Sequence, residues 1–469
     1  MKLLRNTIGT VLLACGISSQ GYAQTAFLKL ADTATSIPGG SGAFTDLRTP
    51  VSGVNRAIFY GEGANGQVGY YQFDGTTLTR LVDKNTAAPG GSGNFTNLSF
   101  FAYGVDTNFA FRGTDAGGMN GLFLLSGSTL TVLGNTNTVA PGSGGNFANY
   151  FTPAIAGNSL ALFANGPGTY RGAFLHSSGT FTRLFDTATP FPGGPGNLNF
   201  SSGLGFESNA VAFWAFDSVS FTGGIFSYAN NTLTTLAVTN TVMPGFANRF
   251  SSFQAPPVLS GGNVIFTGQD TVSSPAVRGI FAVPVGGGSL TALATTATQI
   301  PGGTSGNFSS FNSFAYDNGT LIFAANGTNG TPGIYQLRNG TLEPLLAAGA
   351  PLDGKTVTGL TLNPAGLRYG IVGFQASFSD GSKGVFAADL GGPGPAADAV
   401  LGVSSYLTAA GMTLSFTGEN NRAYRLQYST TLLLGSWTTL TNFTYIAPLS
   451  VTDASTAGLT NRFYRAVSP

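Results

Sequence analysis

One stretch constrains this chain more than any other, because it keeps returning. The segment VDKNTAAPGGSGNF, which begins at Val82, aligns without gaps with ADTATSIPGG at Ala31, GNTNTVAPGS at Gly134, FDTATPFPGG at Phe185, AVTNTVMPGF at Ala237, ATTATQIPGG at Ala294 and LAAGAPLDGK at Leu346. Its proline position falls at Pro38, Pro89, Pro141, Pro192, Pro244, Pro301 and finally Asp353, at spacings of 51, 52, 51, 52, 57 and 52 residues. Self-similarity at a fixed period means one supersecondary unit stacked on its neighbours, so the fold is decided by what one unit is.

Three further landmarks recur in each period. An apolar run ends in Phe59, Phe111, Phe163, Phe213, Phe266, Phe323 and Phe374. A Gly-apolar-aromatic triplet then begins at Gly69, Gly121, Gly172, Gly224, Gly279, Gly333 and Gly384, and segments such as LTRLVD start at Leu78, Leu130, Phe181, Leu233, Leu290 and Leu342. With the segment after each Pro-Gly stretch, these make four short β-branched and aromatic strands per unit, punctuated by Gly, Asn and Asp. Four strands in about 50 residues is the size of a propeller blade; a parallel β-helix, with coils of roughly 20–30 residues, is the competing repeat fold. The seventh unit runs out at GVFAADLGGPGP before a fourth strand, whereas TAFLKLADTAT near the start matches TTLTRLVDKNT, with Phe27 11 residues before Pro38. That early strand completes the last blade. We therefore expect an all-β, seven-bladed propeller over residues 25–390, closed by an N-terminal strand that removes both sheet edges.

Residues 391–398, GGPGPAAD, read as a linker, and 399–469 abandon the period. There MTLSFTG, YRLQYS, SWTTL and RFYRAV alternate as strands of a small β-sandwich, with Trp437 and Phe463 in its core. The closing pattern YRLQYSTTLLLGSWTTL…NRFYRAV resembles a C-terminal domain common on secreted proteins of planctomycete and verrucomicrobial bacteria. The repeats resemble a bacterial tandem-repeat family named for an N-x-x-G-x-x-A-F pattern; AGNSLALF and SGGNVIF come near it, whereas GVDTNFAF departs from it. Neither resemblance implies an enzymatic role for a specific residue here.

Composition limits the partners. Asp, Glu, Lys and Arg make only 8% of the 469 residues, so surface polarity has to come from Ser, Thr, Asn and Gly. Twenty basic against 19 acidic residues leave a net charge of +1, which provides no extended positive field for a phosphate backbone and argues against nucleic acid. Residues 1–23 carry Lys2 and Arg5, a short apolar run and Gly21-Tyr22-Ala23 before Gln24, the layout of an export signal; lipidation at Cys15 within LLAC is the alternative to cleavage after Ala23. Cys15 is the one cysteine, so the exported chain has no disulfide and no thiol chemistry. No later segment is apolar for 18 residues, so no membrane-spanning segment is expected.

The segment 349–356, GAPLDGKT, fits G-x-x-x-x-G-K-[ST], but that motif needs a helix start behind it, and VTGLTL reads as strand. The repeated APGGSGNF reads instead as the turn between one blade's outer strand and the next blade's inner strand. In it Pro fixes φ, Gly permits positive φ, and Asp32, Asp83, Asn135 and Asp186 cap the turn, with Thr35, Thr86, Thr138, Thr189, Thr241 and Thr298 recurring beside them. The one histidine, His176, reads as a solvated surface residue near a third-to-fourth-strand hairpin rather than a catalytic base.

Because strands alternate in direction, the connection after each second strand opens on the same face as the Pro-Gly turns. It carries Glu62, Asp115, Asn165, Asp217, Asp270, Asn326 and Asp380. Such oxygens bind sugar hydroxyls or calcium, or work in pairs as acid and base on glycosides; the same residue types also make ordinary Asx turns. The longer fifth-unit connection, GQDTVSSPAVRG, adds Arg278 and breaks the sevenfold sameness. The ligand-binding candidates are therefore Glu62, Asp115, Asp217, Asp270 and Arg278, the carboxylates for hydroxyls or a cation and Arg278 for an anionic group. The expected protein is a secreted or cell-surface binding protein, monomeric, taking a glycan or cell-surface component, with no cofactor unless calcium. An extracellular glycan-active enzyme using these carboxylates and a purely structural surface repeat are the alternatives.

Overall fold

The computed structural model describes residues 27–53, 56–105, 108–200, 203–270, 272, 274, 276–302 and 306–390, and then 400–403, 412–417, 423–429, 438–446, 449–454 and 463–467. The chain divides into two compact units, Met1–Gly392 and Pro393–Pro469. The export signal, the linker and Trp437 lie outside the described residues.

In the first unit, seven antiparallel sheets of four or five strands succeed one another along the chain, six of them built only from strands neighbouring in sequence. This is a seven-bladed propeller, and its last blade is completed from the other end of the chain. Phe27–Asp32 pairs antiparallel with Lys383–Asp389, Phe27 standing opposite Ala388 and Asp32 opposite Gly384. The ring is thus closed by main-chain hydrogen bonds, with Phe27 edge-on to Phe374 at 5.6 Å and Leu30 5% exposed.

Each blade is organised around its second and third strands. All seven landmark phenylalanines, from Phe59 to Phe374, are at most 1% exposed. In six blades this ring faces the triplet's aromatic across the strand pair: Phe59 with Tyr71, Phe111 with Phe123, Phe213 with Phe226, Phe266 with Phe281, Phe323 with Tyr335 and Phe374 with Phe386, centroids 5.6–6.0 Å apart. The third blade differs, because one residue fewer separates Phe163 from Phe174 than Phe111 from Phe123; Phe163 faces Ala173 and Phe174 faces Leu162. The triplet glycine is steric in origin. A Cβ on Gly121, Gly224 or Gly384 would lie 2.7 Å from the ring two residues on, which folds back over the glycine. These rings pack against side chains on the facing side of the preceding blade, most of them aliphatic, so the core lies between sheets; Phe250, Phe253, Phe266 and Phe281 of the fifth blade pack with Ala212 and Ile225 of the fourth.

The innermost strands depart from the sequence reading of one strand each. Those of the first, third and fourth blades are broken into Phe44–Leu47 and Val51–Gly53, Asn149–Tyr150 and Ala154–Ala156, and Leu198–Asn199 and Gly205–Glu207. Proline accounts for much of this. Pro50 and Pro153 sit at two of the breaks, and Pro256, Pro257 and Pro364 at register shifts in the fifth and seventh blades, where a residue without N–H cannot serve the ladder.

In the second unit the described strands form two three-stranded antiparallel sheets. Val400–Val403, Met412–Thr417 and Leu449–Asp453 make one, and Ala423–Ser429, Thr438–Thr444 and Phe463–Val467 the other. Leu414, Tyr424, Leu426 and Tyr445 are buried there.

Candidate functional site

The Pro-Gly turns are held from within. The Asp32 N–H donates to Thr35 Oγ1 (2.9 Å), which donates back to Asp32 Oδ1 (2.7 Å), and the Ala34 N–H reaches the same oxygen at 3.0 Å. The same N–H-to-threonine bond closes the turns at Asp83, Asn135, Asp186, Val238 and Thr295. The glycine after each proline, from Gly39 to Gly302, has φ between +68° and +95°. Every repeated residue type is therefore used by the turn itself.

The connections after the second strands meet these turns, and their carboxylates join the two. Asp115 accepts from the N–H groups of Ser92 (2.5 Å) and Met119 (2.7 Å). Asp217 accepts from Gly196 (3.0 Å), Val219 (2.7 Å) and Ser220 (2.8 Å), and Asp270 from Asn248 Nδ2 (2.8 Å) and the Val272 N–H (2.9 Å). They are 2%, 0% and 3% exposed. The Ser92 N–H holds the Asp115 carboxyl below the usual range; at Asp217 burial pushes the other way, but the N–H groups of Ser220, Gly196 and Val219 outweigh it. A Cβ on Gly91 would lie 2.4 Å from Asp115 Oδ2 and one on Gly194 2.0 Å from Asp217 Oδ2, so the turns' second glycines make room for these carboxylates. Of the five candidate residues, Asp115, Asp217 and Asp270 face inward. Glu62 is half-buried against Arg48 at 3.4 Å, and Arg278 is exposed.

Arg278 also stands apart from the others. Along its strand Ile280 packs with the sixth blade, which puts Arg278 on that side of the fifth blade. Asp380 is exposed, and the Ser382 hydroxyl and N–H, with Lys355 at 3.1 Å, bring its carboxyl down to about 2. Among the described residues no three of His, Cys, Asp and Glu come together as a metal site, and no helix is long and apolar enough to cross a membrane.

The same face carries a feature absent from the sequence reading. A groove of about 270 Å³ opens between the fourth and fifth blades, walled by Trp214, Phe216, Phe221 and Phe253 with Thr239, Ser251 and Ser252 beside them. Phe221 is 73% exposed, stacks on Phe216 at 6.2 Å and 22°, and has φ +57°, a conformation that a bulky side chain rarely adopts. Asp217 imposes it, because Asp217 holds the tip through Val219 and Ser220 while its carbonyl accepts the Phe221 N–H at 3.0 Å. The groove's floor is open because residue 223 is glycine; a Cβ there would touch Trp214 Nε1, Thr239 and Phe253 at 3.6–3.9 Å. Val219, Val242 and Val272, 61%, 48% and 86% exposed, stand on the same two blades' loops.

A second cavity lies on the propeller axis. It measures about 100 Å³, lies where first and second strands turn into each other, at the end opposite the Pro-Gly face, and is lined by Pro256, Pro257, Pro364, Tyr316, Asp317 and Arg368 among others. Asp317 there is 5% exposed, accepts from Ser260 Oγ (3.2 Å) and the Tyr369 N–H (2.8 Å), and faces Arg368 at 3.5 Å.

His176 is not the solvated residue the sequence suggests. It is 6% exposed, edge-on to Phe181 at 4.8 Å, and burial lowers its pKa. The 349–356 segment forms a hairpin between Pro351–Leu352 and Lys355–Arg368, turning at Asp353 and Gly354 with φ 51° and 73°, and Lys355 is spent on Asp380 and Ser382.

Residues 169–363 match a family of unknown function, DUF7453. No curated protein matches the chain. Among solved structures, the chain is similar to the β-propeller domain of the trilobed protease from Pyrococcus furiosus, at 8% identity over 74% of this chain and 93% of that one, TM-score 0.45. A prolyl endopeptidase shows 12% identity over 83% of this chain and 54% of its own, TM-score 0.45. The six-bladed fucose-recognising lectin of Aleuria aurantia shows 11% identity over 65% and 96%, TM-score 0.33. At these identities and scores the likenesses say nothing about ligand or chemistry.

Proposed function

We propose that this is an exported binding protein that recognises a glycan in the groove between its fourth and fifth blades. The observation that carries this reading is Phe221, an exposed aromatic ring held at φ +57° by a buried carboxylate. Strain of this kind costs of order 1–3 kcal/mol, persists where the surrounding structure over-determines it, and clusters at ligand clamps and active sites. Stacked ring faces are electron-rich and attract the weakly positive C–H faces of a sugar, while Thr239, Ser251 and Ser252 supply hydroxyls at the edge. Export rests on residues 1–23. The inward-facing aspartates favour binding over hydrolysis, since oxygens already serving turn N–H groups are poor candidates for acid and base.

Trp214 is one of two tryptophans, so in a Trp437→Phe background its fluorescence reports the groove directly. Titration with a panel of oligosaccharides should shift that emission. Phe221→Gly should abolish the shift while raising stability by about 1 kcal/mol, because the left-handed strain is relieved. A panel without any response, or a Phe221→Gly protein that binds as before, would remove the groove as the site.

A further inference from the structure

The glycan reading leaves open what kind of glycan, and the charges around the groove bear on that. Across residues 203–302 the charged side chains are Glu207, Asp217, Arg249, Asp270 and Arg278. Asp217 and Asp270 are buried within their turns. Glu207 lies at the other end of the blades, its two oxygens each 3.0 Å from the N–H groups of Gly261 and Gly262 in the next blade. Both arginines are exposed on the Pro-Gly side. Arg249 stands at the groove's rim: its Nη1 donates to the Asn240 carbonyl at 2.5 Å, next to the groove-lining Thr239, and the groove-lining Ser251 follows two residues later. The exposed charge of this sector is positive. At the seam between the seventh and first blades, by contrast, Lys29 with Asp353, Lys355 with Asp380, Lys383 with Asp46 and Arg48 with Glu62 leave cation and anion paired.

Resting on the glycan reading, we infer that the ligand is an acidic glycan, a chain bearing uronate or sulfate groups, with one ring stacked in the aromatic groove and its acid group on Arg249. An exposed guanidinium at the rim of an aromatic-walled groove is suited to a carboxylate or sulfate, which it binds through charge-assisted hydrogen bonds. Arg278, on the other side of the fifth blade, adds field but no contact with the stacked ring. A sheet is about 10 Å thick, close to the Debye length at 0.1 M salt, so its contribution fades as salt rises.

The test is calorimetric titration with an oligogalacturonate and with its neutral methyl ester of the same length, at low and moderate salt, with single-stranded DNA as a polyanion that is not a glycan. The acid form should bind at least about tenfold more tightly than the ester, and Arg249→Ala should erase that difference. Arg278→Ala should weaken binding only at low salt, and Phe221→Ala, an exposed position that leaves folding intact, should weaken acid and ester alike. Equal binding of acid and ester, or an Arg249→Ala protein that still prefers the acid, overturns the acidic-glycan inference and leaves the groove reading standing. Binding of neither form, with no neutral oligosaccharide bound either, overturns both. DNA bound as tightly as the uronate overturns the inference, since charge alone would then suffice.

Discussion

Phe221 and Asp217 show how one residue type does two jobs in this protein. In the turns, carboxylates replace the main-chain partners that a tight connection cannot supply. At Asp217 the same bonds also set the backbone of a ring four residues on. His176 offers the cleanest residue-scale measurement, since it is the chain's one histidine. Burial lowers its pKa from the ordinary 6.5. Below that value the unfolded chain binds a proton that the folded chain resists, so stability is full above about pH 7 and falls as pH drops through 6.5. His176→Phe should flatten the stability profile between pH 7 and pH 5, measured by urea denaturation; a slope that survives the substitution would place its origin elsewhere.

Among elements, the cross-strand aromatic pair with its glycine recurs in six of the seven blades. The triplet could be read from the sequence as a landmark, but not its reason: the ring of Phe226 occupies the space where a Cβ of Gly224 would be. Gly224→Ala should cost about 1–3 kcal/mol by overpacking. Gly42→Ala, where no atom lies within 4 Å and only the +73° backbone is strained, should cost nearer 1 kcal/mol. Chemical melts of the two proteins, with the order reversed, would show that the ring moves aside freely. The third blade's one-residue shift was equally present in the numbering of Phe163 and Phe174, and its effect on pairing needed the register.

For the whole molecule, the decisive contact joins the two ends of the propeller. Removing residues 27–32 takes away a paired strand carrying Leu30 and Ala31, 5% and 1% exposed, and bares the edge of Lys383–Asp389. The loss should be about 3 kcal/mol or more, with a tendency to associate through the open edge. A truncated chain that melts with the intact one and elutes as a monomer would mean the ring is held by blade packing alone. The ion pairs at this seam still reach solvent and are worth little each, so raising the salt should move its stability little.

The architecture was legible in the sequence because a repeat imposes the same local chemistry many times, and chance does not put a proline in six units, and a phenylalanine and a glycine triplet in all seven, at nearly constant spacing. The early strand's likeness to six other strands even showed where the ring closes. The groove was not legible, and the reason is physical. Its walls come from two blades, Trp214, Phe216 and Phe221 on one and Ser251 to Phe253 on the other, whose nearness is a matter of sheet stacking and not of spacing along the chain. Which way an aspartate points was equally undecided, since Asp217 and Asp380 occupy the same place in their units yet one is buried and the other exposed. Local sequence determined the turns, the strands and their number; only the packing of one blade on the next decided which side chains face water and which aromatic rings stand open to a ligand.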